Sequence, residues 1–237
     1  MDLEERVRHV RERVAAAAGR SGRAPESVAL VAVSKGHSPE DVRGMSEAGL
    51  TLFAESKVQE AKAKISMCPG RLRWHMIGHL QSNKARDAAF LFEMIQSVDS
   101  LGLAEELNKA AGKGGKTLKI LLEVNVAGES AKFGYRPDSV LADLSRINAL
   151  PNLEIHGLMG MAPWTNEVER ARPVFRKLKE LHDRCSEGLG AVLPVLSMGM
   201  SADFEVAIEE GSTMVRIGTA LFGVGRFANG SDLSKSS

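Results

Sequence analysis

Val28-Ala29-Leu30-Val31-Ala32-Val33 is an uninterrupted apolar run, rich in β-branched residues, that ends at Ser34-Lys35. Continuous rather than alternating hydrophobicity marks a strand covered on both faces, as in a parallel sheet. Comparable runs begin near Leu50, Arg73, Glu93, Leu118, Leu153, Pro194 and Thr213, making eight with Val28. Helix-like stretches lie between them, over roughly 38–48, 56–66, 82–91, 100–111, 137–149, 166–187 and 202–210, with a short last segment at 219–223. Ser38-Pro39 places a capping hydroxyl before a proline at the first helical position. Eight strand–helix units in about 200 residues predict a closed (β/α)8 barrel of TIM type. An open doubly wound sheet shows the same periodicity and stays as the alternative. Leu3, Val7, Val10 and Val14 predict an added N-terminal helix over 2–18, ended by Gly19, Gly22 and Pro25.

The chain has 237 residues, 43% of them hydrophobic and 26% charged, the make-up of an ordinary globular protein. No linker composition divides it, so residues 1–228 are expected to form one domain, with the polar stretch 229–237 as a disordered tail. Basic and acidic residues number 31 and 30, which argues against nucleic acid as a partner. No apolar stretch is long enough to span a bilayer, and the charged N-terminus lacks a signal-peptide core. Cys68 and Cys185 have neither disulfide-framework nor metal-ligand spacing, which fits a reducing cytosol and no metal site. No apolar stripe is left over after the barrel helices, so a monomer is expected.

In such a barrel the chemistry gathers where strands end. Those ends are Ser34-Lys35, Glu55-Ser56, Gly78-His79, Ser97-Val98-Asp99, Asn125, Met159-Gly160, Ser197-Met198-Gly199-Met200-Ser201 and Arg216-Ile217-Gly218-Thr219. Lys35 follows six apolar residues; it either marks the strand's exit into solvent or points into the mouth. In the mouth it would be an amine placed to attack a carbonyl. The glycine- and hydroxyl-rich segments after the seventh and eighth strands stand where these barrels commonly bind phosphate, although ordinary turns use the same residues. Arg216 sits in an apolar strand and needs a partner: a cofactor atom, or a carboxylate such as Glu205, Glu209 or a strand glutamate. His75 and His79, four apart, are read as sharing one strand face, Asp99 as a turn or helix-start residue, and the methionines as apolar lining.

Five segments together carry a family resemblance. They are Val31-Ala32-Val33-Ser34-Lys35, Trp74 to Lys84 (WHMIGHLQSNK), Gly157-Leu158-Met159, Leu196 to Ser201 (LSMGMS) and Ser212 to Gly223 (STMVRIGTALFG). In this order they resemble the pyridoxal phosphate homeostasis proteins, single-domain relatives of the alanine racemase barrel. The resemblance implies PLP fold type III, with pyridoxal 5′-phosphate (PLP) at the barrel mouth as a covalent imine on Lys35. Arg216 would face the pyridine nitrogen. Ser201, Gly218 and Thr219 would hold the phosphate with Ser197 nearby, and Met159, Ser56 and His79 would complete the cofactor-binding set. The family pattern has asparagine where Ser56 stands and a branched aliphatic residue where Ala88 stands. A two-base racemase of this lineage takes a tyrosine from a second domain, whereas the only tyrosine here is Tyr135. The reading is therefore a cytoplasmic PLP carrier that supplies PLP-dependent apo-enzymes, with little turnover of its own. A racemase-like enzyme using Tyr135 or a histidine is the runner-up, and a colourless Schiff-base aldolase acting on a sugar phosphate is a third reading.

Overall fold

The first apolar run becomes β1 (Ala29–Val33), the first strand of the barrel in a computed structural model that describes residues 2–129 and 132–223. The others are β2 (Leu52–Glu55), β3 (Arg73–Met76), β4 (Met94–Val98), β5 (Leu118–Val124), β6 (Leu153–Gly160), β7 (Val195–Ser197) and β8 (Met214–Ile217). They pair in sequence order, all parallel, and β8 returns to β1 through Ala29↔Met214, Leu30↔Val215, Val31↔Arg216 and Ala32↔Ile217. The sheet is closed, so the open doubly wound alternative does not hold.

The helices are α1 (Leu3–Arg20), α2 (Pro39–Glu47), α3 (Val58–Ile65), α4 (Ala85–Leu91), α5 (Leu101–Lys113), α6 (Pro137–Asn148), α7 (Arg172–Leu189), α8 (Phe204–Glu209) and α9 (Thr219–Phe222). Capping decides several starts. Ser38 accepts from the Asp41 N–H and Asp41 returns the bond to the Ser38 N–H, a reciprocal cap with Pro39 just inside. Two boundaries differ from the periodicity. The helix expected from 166 begins at Arg172 after a 3-10 turn at Val168–Ala171, with Pro173 in its first turn. The helix expected from 56 begins at Val58, because Ser56 belongs to the exit of β2.

α1 is the predicted addition. It buries Val7, Val10, Val14, Ala17 and Ala18 and packs on α8, α9 and α2. Each valine is worth about 1.5–3 kcal/mol relative to exposure. Arg13 lies 4.6 Å over the Phe204 ring and pairs with Glu205 at 3.1 Å; Arg20 pairs with Glu209 at 2.7 Å. The expected tail, 229–237, and the end of the expected domain, 224–228, lie outside the described residues.

β6 contains the irregularity that matters most. Ile120 pairs with Ile155, but Leu121 pairs with Gly157, so His156 is an extra residue in β6. A one-residue insertion moves the following side chains to the opposite face. Before it, Leu153 and Ile155 face the helices; after it, Leu158 does so and Met159 turns inward. Gly157 takes φ +155°, and a Cβ there would stand 1.6 Å from the Val195 carbonyl oxygen. Gly157→Ala is therefore expected to cost about 3 kcal/mol or more and to lower Tm by about 6–12 °C. Thermal denaturation checks this, and a parental Tm would contradict the assigned backbone.

Candidate functional site

The two-residue period of the strands decides which side chains enter the barrel. Val31, Val33, Leu52, Ala54 and Met214 pack together inside it, and Met94, Leu121 and Met159 form a neighbouring interior cluster. Two residues further along their strands come Lys35, Gln96, Glu123 and Arg216, and with them Ser197 and His75. Apolar floor thus gives way to a polar layer beneath the mouth.

Through that layer runs one directed hydrogen-bond chain. Arg216 donates from Nη1 to Ser197 Oγ at 2.7 Å and from Nη2 to the Gly160 carbonyl at 3.0 Å. Ser197 Oγ donates to Gln96 Oε1 at 2.7 Å, and Gln96 Nε2 donates to His75 Nδ1 at 2.9 Å. His75 must be neutral to accept that bond, and burial lowers its pKa to about 4. Burial also lowers Arg216 to about 10, opposed by the charges of Glu123 and Asp203. Glu205 and Glu209 are engaged elsewhere, with Arg13, Arg20 and Arg172. Glu123, a strand glutamate, is the carboxylate facing Arg216 from the cavity wall; burial foremost, then the charge of Asp99, raises its pKa to about 7.

Above this layer opens a cavity of about 590 Å³ at the C-terminal ends of the strands. Of the residues singled out from sequence, Lys35, Ser56, His79, Ser201, Arg216, Gly218 and Thr219 line it. Ser197 and Met159 do not. Ser197 lies one layer down, turned to Arg216 rather than to an anion, and Met159 is packed in the interior against Met94 and Leu121. Asn125 also falls outside the lining; its amide ties the Glu129 and Lys132 carbonyls of the loop after β5. The shared face expected for His75 and His79 does not occur, because β3 ends at Met76. His79 lies beyond the strand, its Nδ1 3.0 Å from Asp99 Oδ2 and its ring stacked on Phe133 at 3.6 Å. Helix α5 is capped by Ser100, leaving Asp99 for the histidine.

Two turns build the remaining wall. The His37 N–H donates to the Ser34 carbonyl at 3.0 Å and Gly36 has φ +74°, a type II turn with Lys35 at its first corner. After β7, a Cβ on Gly199 (φ +94°) would lie 2.6 Å from Ala207 Cβ, so only glycine lets the loop lie this close to α8. Ser201 Oγ then accepts from the N–H groups of Gly218 and Ala220, each at 3.3 Å. Backbone donors at the start of α9 thus converge on one oxygen, the arrangement an anion requires. An amine, a buried guanidinium and this donor turn can together hold an aldehyde-bearing aromatic phosphate. Sequence reading passed over Glu123 as a site residue, and over Gln96, Phe133 and Trp164. Only Glu123 carried a signal, a lone carboxylate in an apolar strand.

The family model described as alanine racemase, N-terminal domain, matches residues 6–225. The chain is 42% identical to the pyridoxal phosphate homeostasis protein of Aquifex aeolicus over 224 residues, 94% of this chain and 98% of that one. It is also 42% identical to the protein of that name from Pseudomonas aeruginosa, over 93% and 95% of the two chains. Among solved structures, PipY of Synechococcus elongatus with PLP bound superposes with TM-score 0.82 at 36% identity, covering 94% of this chain and all of that one, 100%. Clostridium difficile alanine racemase superposes with TM-score 0.71 at 15% identity over 82% of this chain, a likeness of fold.

His75 and Glu123 set opposing pH dependences. The folded pKa of His75 lies below its usual value, so its contribution is present above about pH 6.5 and is lost as pH falls toward 4. Glu123 has a raised folded pKa, so its destabilising charge is relieved as pH falls from 7 toward 4.5. Each amounts to on the order of 3 kcal/mol, with opposite sign over most of the same range. Glu123→Gln is expected to lose stability more steeply than the parent between pH 6.5 and 4.5, and His75→Gln less steeply. Urea unfolding across that range measures both slopes; parallel curves for all three proteins would refute the assignment.

Proposed function

Since the chain belongs to the pyridoxal phosphate homeostasis protein family, which shares the alanine racemase N-terminal domain, we propose that it binds PLP at the barrel mouth and serves intracellular PLP homeostasis. The observation that carries this reading is that Lys35, Arg216 and the Ser201–Gly218–Thr219 turn line the same cavity. PLP supplies an aldehyde, which condenses with an amine with loss of water. Lys35 is the amine in this proposal and holds PLP as a Schiff base. Ser201, Gly218 and Thr219 receive the phosphate; Arg216, fixed by Ser197 and Gly160, faces the ring nitrogen. Ser56 and His79 line the side walls.

The same residues support holding over turnover. A guanidinium only donates hydrogen bonds, so Arg216 leaves the ring nitrogen without a proton and the ring a weaker electron sink. Tyr135 is 5% exposed and lies outside the cavity lining, bridged to Val124. The protein is thus proposed to store PLP and supply apo-enzymes as a cytoplasmic monomer. Among the described residues no helix is long and apolar enough to cross a membrane, and both cysteines are free. One observation favours a racemase-like second reading: His79, oriented by Asp99, lines the cavity and could move a proton.

Adding PLP is expected to give a yellow absorbance band that borohydride traps covalently, and Lys35→Ala is expected to abolish both. A parent without the band would defeat the reading. Incubation with an amino-acid panel in heavy water is expected to show no α-proton exchange beyond that of free PLP. Exchange lost in His79→Ala would establish the second reading instead.

A further inference from the structure

Lys64 is a lysine with 4% of its side chain exposed, in a protein whose proposed chemistry is assigned to another lysine. It lies in α3, outside the barrel wall, and its three N–H groups are all used. They reach the Ser34 carbonyl at 2.7 Å, Glu55 Oε1 at 2.5 Å and Glu60 Oε1 at 2.9 Å. The two carboxylates reach the same stretch of chain. Ser34 Oγ donates to Glu55 Oε1 at 2.6 Å, and the Gly36 N–H donates to Glu60 Oε1 at 2.7 Å. The cluster therefore grips the residue before Lys35 and the residue after it.

Stability alone does not call for charges here. Replacing a buried ion cluster by apolar side chains of similar size is often neutral or stabilising. This cluster also leaves Glu55 Oε2 buried without a partner, and burial raises the Glu55 pKa despite Lys64 beside it. What the charges accomplish is geometric. The Ser34 carbonyl takes two donors, His37 N–H and Lys64, while the Ser34 N–H is held by the Ala54 carbonyl at 3.0 Å. With the Gly36 N–H also taken by Glu60, the peptide groups on both sides of Lys35 are tied by hydrogen bonds.

We propose that Glu55, Lys64 and Glu60 are positioning residues that aim Lys35 from outside the barrel wall, holding the peptide groups on either side of it. The inference rests on the assignment of Lys35 as the PLP-binding amine. In that step the Lys35 amine adds to the aldehyde carbon and one water leaves. A nucleophile displaced by about 1 Å reacts up to about a hundredfold more slowly, so loosening one grip is expected to cost roughly tenfold in rate.

The test separates aim from folding. Stopped-flow absorbance follows adduct formation with PLP, and equilibrium binding of pyridoxine 5′-phosphate, which has an alcohol in place of the aldehyde, reports pocket integrity. Glu60→Ala removes the acceptor of the Gly36 N–H and is expected to slow adduct formation about tenfold while pyridoxine phosphate binds as in the parent. Glu60→Gln keeps an acceptor oxygen and is expected to react at nearly the parental rate. Lys64→Met leaves Glu55 as an uncompensated buried charge; if it does not fold, Glu55→Gln combined with Lys64→Met removes the charge and still takes the Lys64 bond away from the Ser34 carbonyl, leaving it the His37 N–H alone. Parental rates in Glu60→Ala and in the double variant would overturn the proposal. Equal losses of rate and of pyridoxine phosphate binding would do so too, reducing the cluster to a structural staple. A parent that forms no adduct would overturn the cofactor reading itself, and this one with it.

Discussion

The return of β8 to β1 is the pairing on which the site depends. Val31 stands opposite Arg216 and Ala32 opposite Ile217, so the register that closes the barrel also sets the end of β1 beside the end of β8. Lys35 and Gly218 are 183 positions apart in the chain, yet they line one cavity. Without closure, the lysine and the donor turn would belong to opposite edges of a sheet, and neither would have the other's chemistry to complete.

Closure also forces polar groups into the bore, because each strand that brings a residue to the mouth brings another two positions below it. The protein meets this with a chain of directed hydrogen bonds, Arg216 to Ser197, Ser197 to Gln96 and Gln96 to His75, which ends at a buried His75 Nε2 left without a partner. Arg216 is thereby held from below and offers its remaining surface upward. Glu123, whose pKa burial pushes up to about 7, is a weaker negative charge opposite it than an exposed glutamate would be. Fixing a guanidinium at the base of the cavity and an amine on a turn above it would preorganise the site for the covalent capture proposed above.

The site is assembled from both faces of the wall. Residues facing the bore touch the cavity, while Lys64, reaching in from α3, holds the Ser34 carbonyl and Glu55 holds the Ser34 hydroxyl and Lys64 from outside the bore. Carrier and racemase can share such a barrel because what separates them is a second proton-moving group across the ring. Tyr135, packed away by its bridge to Val124, is not placed to be that group.

Much of this was legible in the chain alone. Eight apolar runs separated by helical periodicity dictate a parallel sheet covered by helices, because strands buried on both faces must be continuously apolar and parallel neighbours need helical crossovers; that the sheet closes was decided by the pairing of β8 with β1. Lys35, Arg216 and the glycine–hydroxyl turns stand out because each breaks its local pattern at a strand end. Tertiary structure alone decided which of the strand-end residues share the cavity. The extra residue at His156 shifts the register so that Met159 turns inward and packs below the mouth. Ser197 is claimed by Arg216, and His79 leaves the strand that carries His75. Lys64 reads as one more charge on an amphipathic helix until α3 is laid against β1 and β2. Local sequence encodes the period and the breaks in it, whereas partnership across the barrel depends on register and closure, which no short window of sequence contains.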